Sequence, residues 1–526
     1  MLDWIKGGRF GRAVADLKRA REAIAALPSG NSLRALEEMT GWLNSIGEAQ
    51  DLQPGSRFEA VDLIDRSAKN HQFKLAPEYL EAPRLQKFYE SRLWNTSFGF
   101  WKALGQGYLQ CVEQCRRTDP VPAAQGVDLS VIIGRATRTL TLQIKWILLR
   151  YGLIEARIWR DLGHAYQLAE SQGLATRRAQ IYPGKHGEST IQEEFLKALM
   201  LMTSAPDGLA PVSVHIAERA VAHFARLFLL QQSPAGCGFS FDLALDQPPA
   251  RVTTHARTAP TVRFFGAGPA AEALRALSHA VHEKDGIPAD VNLGGQFDKR
   301  TVAPVLKHLE LYWGTKVPKR SAQRRDIATR VTVVPGYTET LAWMQAVADE
   351  TSLEFSDPKS AESWIVFNAS DGGYGTVVPK TKGDWLHVGG LVGLRAETSN
   401  VCSIGIVRRM TRDKYDQCRV GIQVLDAAAL PVALSRGTAP LVDGARPAEA
   451  AMLLSGSPGR QGEMALVVRG GTFSAARSLH VVLADDIYAI EPVELIEPGE
   501  DFEWVRYRVT EKKQQAQALP LANARL

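Results

Sequence analysis

The apolar residues of this 526-residue chain change their spacing at a basic run that begins at Lys316, and that change limits the folds open to it. Before the run they mostly recur at three- and four-residue steps, the spacing of helices with one buried face. After it they fall into short β-branched or apolar stretches separated by Gly, Asp or Lys, the texture of small sheets. A single hydrophobic core rarely organises so long a chain, so the two textures are read as separate domains.

Residues 1–310 read as a mostly helical region. Val14, Leu17, Ile24 and Leu27 form one stripe, and Leu140, Ile144, Ile147, Leu148, Tyr151, Ile154 and Ile158 form a longer one, predicted as one helical run. Lys145, Arg150, Glu155 and Arg157 fall between the apolar positions of that run. They are too many for a bilayer-spanning helix and suit one exposed face. Thr190-Ile-Gln-Glu193 has the form of a capping box and leads into Phe195, Leu196, Leu199 and Met200. Residues 211–230 read as a further helix. The pattern breaks over 237–266, where Phe239, Phe241, Leu243 and Leu245 alternate, predicting a short β insertion. No fixed repeat period is present, so the helices are expected to form an irregular array.

Beyond Lys316, six runs at 327–334, 363–367, 374–378, 391–396, 403–410 and 419–425 suit a small closed barrel. A helix-like insert at 337–349 separates the first two. A further β set between 450 and 509 predicts a second small β domain over 440–510, and the Gln- and Ala-rich stretch 511–526 is expected to be a disordered tail. The fold class is therefore multidomain α + β.

The formal net charge is +5, and Lys316, Lys319, Arg320, Arg324, Arg325 and Arg330 against Asp326 supply that same excess within fifteen residues. Charge so concentrated points to a local anionic partner. Five cysteines make no disulfide framework and fit a reducing compartment. Cys111 and Cys115 lie one helical turn apart and read as core residues, since no second Cys/His pair lies near them to complete a metal site. The N-terminus lacks the apolar stretch of a signal peptide, so a cytoplasmic protein with no membrane span is expected. Gly266-Ala-Gly-Pro-Ala-Ala271 lacks the βαβ surroundings of a dinucleotide site, and His279 and His282 lack the order of a metal helix. No phosphate-binding loop, nucleophile elbow or Cys-x-x-Cys pair argues for catalysis, and the protein is read as non-enzymatic.

Two short motifs remain. Arg320 and Arg324 stand in an R-x-x-x-R spacing, and Asn368, Ser370 and Gly373 in an N-x-S-x-x-G spacing. Arginine can fork onto a phosphate or onto the O6/N7 edge of guanine. Asn368 and Ser370 alternate about Ala369, so they can share one face of a strand end and offer donors and acceptors to a base. Gly372 and Gly373 allow close backbone approach.

With Val388-Gly-Gly-Leu-Val-Gly-Leu-Arg395, Ile404-Gly-Ile-Val-Arg-Arg409 and Arg419-Val-Gly-Ile-Gln-Val-Leu425 following in order, residues 316–427 resemble a PilZ domain. The resemblance implies a six-stranded PilZ-like β-barrel over 316–430, with cyclic di-GMP as ligand. It places Arg320 and Arg324 on a linker that wraps the ligand, and Asn368, Ser370 and Gly373 against a guanine. The insert at 337–349 departs from the family's spacing. The expected function is a receptor or effector that couples cyclic di-GMP at the barrel to a protein partner through the helical region. Two other readings stand beside it: a degenerate barrel serving only as an interaction module, and a nucleic-acid binder using the basic linker. Few aromatic residues interleave that linker, which counts against nucleic acid.

Overall fold

The computed structural model describes residues 17–514 except 29, 50–51, 83–86, 118–127, 185–186, 254–257, 284–285, 315–322, 349–356, 380, 398, 400, 436–448, 455–461 and 484–485. The chain divides into two compact units, residues 1–319 and 320–526.

The first unit is built on helices α1 (Leu17–Ala25), α2 (Ser32–Glu48), α3 (Pro54–Glu81), α4 (Lys87–Arg117), α5 (Leu129–Leu148), α6 (Ala156–Ser171), α7 (Ile191–Thr203), α8 (Pro211–His223), α9 (Ala270–Glu283) and α10 (Lys299–Trp313). A two-stranded sheet, β1 (Ala179–Gln180) with β2 (Glu188–Ser189), and a four-stranded sheet accompany them. The latter holds β3 (Leu229–Gln231), β4 (Phe239–Asp242), β5 (Ala250–Arg251) and β6 (Val262–Gly266) in the order β3-β6-β4-β5. Helix α5 is buried nearly all round, as a central helix must be. Thr190 caps α7, its hydroxyl accepting from the Glu193 amide at 3.0 Å, as the capping-box pattern predicts. Cys111 and Cys115 lie in the apolar core, where burial pushes the Cys111 thiol up to about 12.

The predicted helical run through Ile158 is two helices. Helix α5 stops at Leu148 because Tyr151 adopts φ +57 and the Gly152 amide returns to the Ile147 carbonyl at 3.0 Å, closing a left-handed C-terminal turn. Lys145 is a second departure: it is buried and paired with Glu218 at 2.6 Å. The helix expected over 211–230 ends at His223, and its last residues enter β3.

The second unit contains two closed six-stranded barrels. The first comprises β7 (Arg325–Pro335), β8 (Glu362–Ser370), β9 (Gly373–Val378), β10 (Leu391–Ala396), β11 (Ser403–Arg412) and β12 (Cys418–Asp426). Helix α11 (Gly336–Ala348) leaves the end of β7. The second barrel comprises β13 (Leu430–Ser435), β14 (Glu449–Leu454), β15 (Glu463–Arg469), β16 (Leu479–Leu483), β17 (Asp486–Pro498) and β18 (Phe502–Gln514). It begins before the expected boundary at 440. Its last strand also takes in residues 511–514, so the tail expected from 511 starts no earlier than 515; residues 515–526 lie outside the described ones.

Both barrels close in the same antiparallel circuit. In the first, β7 pairs with β8 and β10, β9 with β8 and β12, and β11 with β10 and β12. In the second, β13 pairs with β14 and β16, β15 with β14 and β18, and β17 with β16 and β18. Position by position the two circuits are identical.

An apolar seam joins them. Helix α11 inserts Tyr337, Leu341, Trp343 and Met344 among Val334, Leu391 and Ile404 of the first barrel and Met452, Val467 and Phe502 of the second. Burying side chains of this size contributes on the order of 1.5–3 kcal/mol each. The Tyr337 amide donates to Asp501 Oδ2 at 2.6 Å and its hydroxyl to the Ala450 carbonyl at 2.5 Å. Gly336 turns the chain from β7 into α11 at φ +71, and a Cβ there would lie 2.9 Å from Asp501 Oδ2.

Candidate functional site

Strand β7 starts immediately after Arg324, and β8 ends on the N-x-S motif, so the β7–β8 register decides whether the two motifs meet. They do. Arg325 stands opposite Ala369 and Asp326 opposite Asn368. The Arg324 guanidinium donates from Nη1 to Asn368 Oδ1 at 2.9 Å. Asp371 and Gly372 then turn the chain into β9, which places Gly373 opposite Ser370. Arg324 is exposed, Asn368 and Ser370 half-buried and Gly373 buried. Arg320 lies outside the described residues, with the rest of 315–322.

The insert does not separate the motifs. It leaves β7 after Pro335, whereas Arg324 precedes the other end of the same eleven-residue strand. At about 3.3 Å per residue, this puts roughly 30 Å of strand between α11 and the motif end of the barrel. The enlarged sequence gap is therefore a feature of the far end of the β7–β8 hairpin.

Local geometry shapes the motif end. The β8–β9 ladder shifts register between Val366 and Asn368 and is regular from Asn368 to Ser370, so Asn368 and Ser370 share a face beyond the irregularity. A side chain at Gly373 would run into the Ile422 carbonyl of β12, which explains glycine at that position. A side chain at Gly375 would run into Asn368 Oδ1. Gly375 thus makes the space in which the Asn368 carboxamide sits, a role the motif reading missed; its signal was the second glycine in Gly373-Tyr-Gly375.

Two further arginines, each already held by a carboxylate, stand on the strands beside the motif: Arg419 on β12 and Arg408 on β11, the latter paired with Glu497. Arg419 rests over the Phe367 ring at 5.5 Å and reaches Asp413 at 3.4 Å. Opposite Gly373 stands Gln423 of β12, whose side-chain carbonyl accepts from Arg408 Nε at 2.7 Å. Such a set suits a ligand with phosphates for guanidinium groups and base edges for an amide and a hydroxyl. The second barrel repeats the circuit without the chemistry: Ala429 and Leu425 stand before β13 where Arg324 and Arg320 stand before β7.

Elsewhere, His279 pairs with Glu283 at 3.3 Å on the exposed side of α9, and the Gly266-Ala-Gly-Pro stretch forms the turn from β6 into α9, with Gly268 at φ +52. Among the described residues, no three His, Cys, Asp or Glu side chains are grouped as a metal site would need. No described helix is long and apolar enough to cross a membrane.

A family model described as the N-terminal domain of the cyclic-di-GMP receptor FimW matches residues 18–235. A second, described as the middle PilZ domain of the same receptor, matches residues 342–431. Between them they span more than half of the chain, and the second takes in Asn368, Ser370 and Gly373 but starts beyond Arg324. No individually curated protein matches the chain. Helical region and mid-chain barrel thus point to one family in the order that family has them, and the chain belongs to the PilZ-domain cyclic di-GMP receptors.

Proposed function

We propose that cyclic di-GMP is held at the Arg324 end of the first barrel and that its binding is passed to a protein partner by the helical unit of a cytoplasmic effector. Arg324 and Arg320 grip phosphate and guanine, while Asn368, Ser370 and the backbone at Gly373 meet a guanine edge. One observation carries this reading: Arg324 at the strand entry and Asn368 at the neighbouring strand end meet at 2.9 Å, so one ligand can touch both.

The chain passes between its two units within the basic run, between residues 319 and 320. A dianionic ligand that fixes this run on the barrel restricts the linker, and that restriction is the signal. The helical unit supplies a surface to receive a partner. Helices α2, α4 and α6 line an open groove of about 1200 Å³ in which Arg116, Arg157 and Arg160 alternate with Glu113 and Asp161. Mixed charge of this kind favours orientation and selectivity in a protein contact.

Hydrogen exchange across residues 315–330, with and without cyclic di-GMP, tests the linker step. Protection that appears with ligand and disappears in Arg324→Ala is expected. Exchange indifferent to ligand in the intact protein would contradict it.

A further inference from the structure

A second cavity, of about 250 Å³, lies in the helical unit far in sequence from the barrel motifs. Phe73 and Pro77 of α3 form its apolar edge, and α5, α7 and α8 supply charged walls. Two ion pairs stand in those walls: Lys145 with Glu218 at 2.6 Å, and Lys197 with Glu194 Oε1 at 2.7 Å. Among the described residues they leave two guanidinium groups with no carboxylate at ion-pair distance, although Arg138 lies near enough to Glu194 to bear on its charge. Arg138 lies over the Tyr182 ring at 4.9 Å, and Arg219 Nε reaches only the Asn292 carbonyl, at 3.4 Å. The cavity therefore carries a cationic surplus.

It also holds polar atoms buried without partners. His215 is 5% exposed, and neither ring nitrogen meets hydrogen-bond geometry with a protein atom, although the Leu293 backbone lies near enough to bear on its charge. Glu194 is fully buried; Oε1 takes Lys197, while Oε2 meets hydrogen-bond geometry with no protein donor, although the Ser189 hydroxyl lies near enough to bear on its charge. Buried polar groups are nearly always satisfied, and exceptions call for water or a ligand. Burial, and then the Lys145 cation, hold His215 down at about 4, so at neutral pH it offers one donor and one acceptor. Burial pushes Glu194 up, but Lys197 and Arg138 outweigh it and keep it ionised as an acceptor. Gly294, at φ +75, keeps the approach open: a Cβ there would lie 2.9 Å from His215 Nε2.

We propose that this cavity binds a small organic anion that bears a carboxylate or phosphoryl group together with a hydroxyl or ammonium donor. Arg138 and Arg219 take the anionic group, His215 adds a neutral hydrogen bond, and Glu194 Oε2 accepts from the donor. The volume falls below the roughly 300–1,000 Å³ of drug-sized ligand sites, so a cyclic dinucleotide does not fit. All of its lining residues belong to the helical unit.

Calorimetric titration of the full chain with inorganic phosphate, L-malate and L-aspartate, at constant ionic strength, tests this. At least one probe is expected to bind saturably, one per chain. Phosphate against the two carboxylates identifies the anionic group, and malate against aspartate the donor. Arg219→Gln, at a half-exposed position, is expected to weaken that binding about tenfold or more, as loss of a charge-assisted contact should. Its titration with cyclic di-GMP serves as the check that the variant is folded and should match the parent. The proposal is overturned if no probe binds at millimolar concentration, which would leave a water-filled cavity. It is equally overturned if Arg219→Gln binds a probe as tightly as the parent.

Discussion

Arg408 on β11 holds Glu497 on β17 through two parallel bonds of 2.5 and 2.7 Å, and the same guanidinium donates to Gln423 at 2.7 Å. Because Gln423 stands opposite Gly373, one arginine links the motif end of the PilZ barrel to the second barrel. Both partners are about a third exposed, so solvent screens part of the attraction. A double-mutant cycle on Arg408→Ala and Glu497→Ala, read by chemical denaturation, is expected to give a coupling of about 1 kcal/mol. Strictly additive losses would mean the pair does no joint work.

The seam between the barrels is apolar, and α11 supplies much of it. Trp343 is 2% exposed, so Trp343→Ala is expected to cost about 3–5 kcal/mol. Tyr337→Phe removes the hydroxyl's bond to the Ala450 carbonyl and its contact with the Arg469 backbone, and should cost about 1 kcal/mol. Equilibrium denaturation of the two variants checks both the sizes and their order.

Gly375 makes room for the Asn368 carboxamide. Gly375→Ala is therefore expected to displace Asn368 and weaken cyclic di-GMP binding at least about tenfold. Circular dichroism and the melting profile should still match the parent's. Unchanged affinity would show that Asn368 need not hold its observed position.

Acid should loosen the helical unit through His215. Its folded pKa of about 4, lowered by burial and Lys145 with a smaller opposing pull from Glu218, lies below the ordinary value of 6.5. The unfolded chain binds the extra proton between those values, so the stabilisation present above pH 6.5 is lost as pH falls towards 4, by up to about 3 kcal/mol. Melting profiles from pH 7 to pH 4 should fall more steeply for the parent than for His215→Phe. Parallel profiles would contradict the shift.

Much of this fold was legible because its signals are local. The six runs of the first barrel fall on its six strands, and Thr190 caps the helix its motif announces. What escaped depends on residues distant in sequence. Lys145 reads as a surface charge until Glu218, 73 positions later, meets it in the core. Tyr151 looks like another apolar step, and only its left-handed backbone ends α5. The shared circuit of the two barrels is a fact of strand pairing that no run of side chains records. At the candidate site the meeting of Arg324 with Asn368 and the role of Gly375 are matters of strand register, and Gly375 stood outside the motif signal because its role is space left for a neighbour.

Cyclic di-GMP binding at the barrel requires that Arg324 and Asn368 serve one ligand. Calorimetric titration of the full chain with cyclic di-GMP, alongside Arg324→Ala, Asn368→Ala and the double variant, measures this. Saturable binding is expected in the parent, weakened by about 1.5–3 kcal/mol in each single variant, with the double variant losing less than the sum. Parent-like affinity in Arg324→Ala would contradict it.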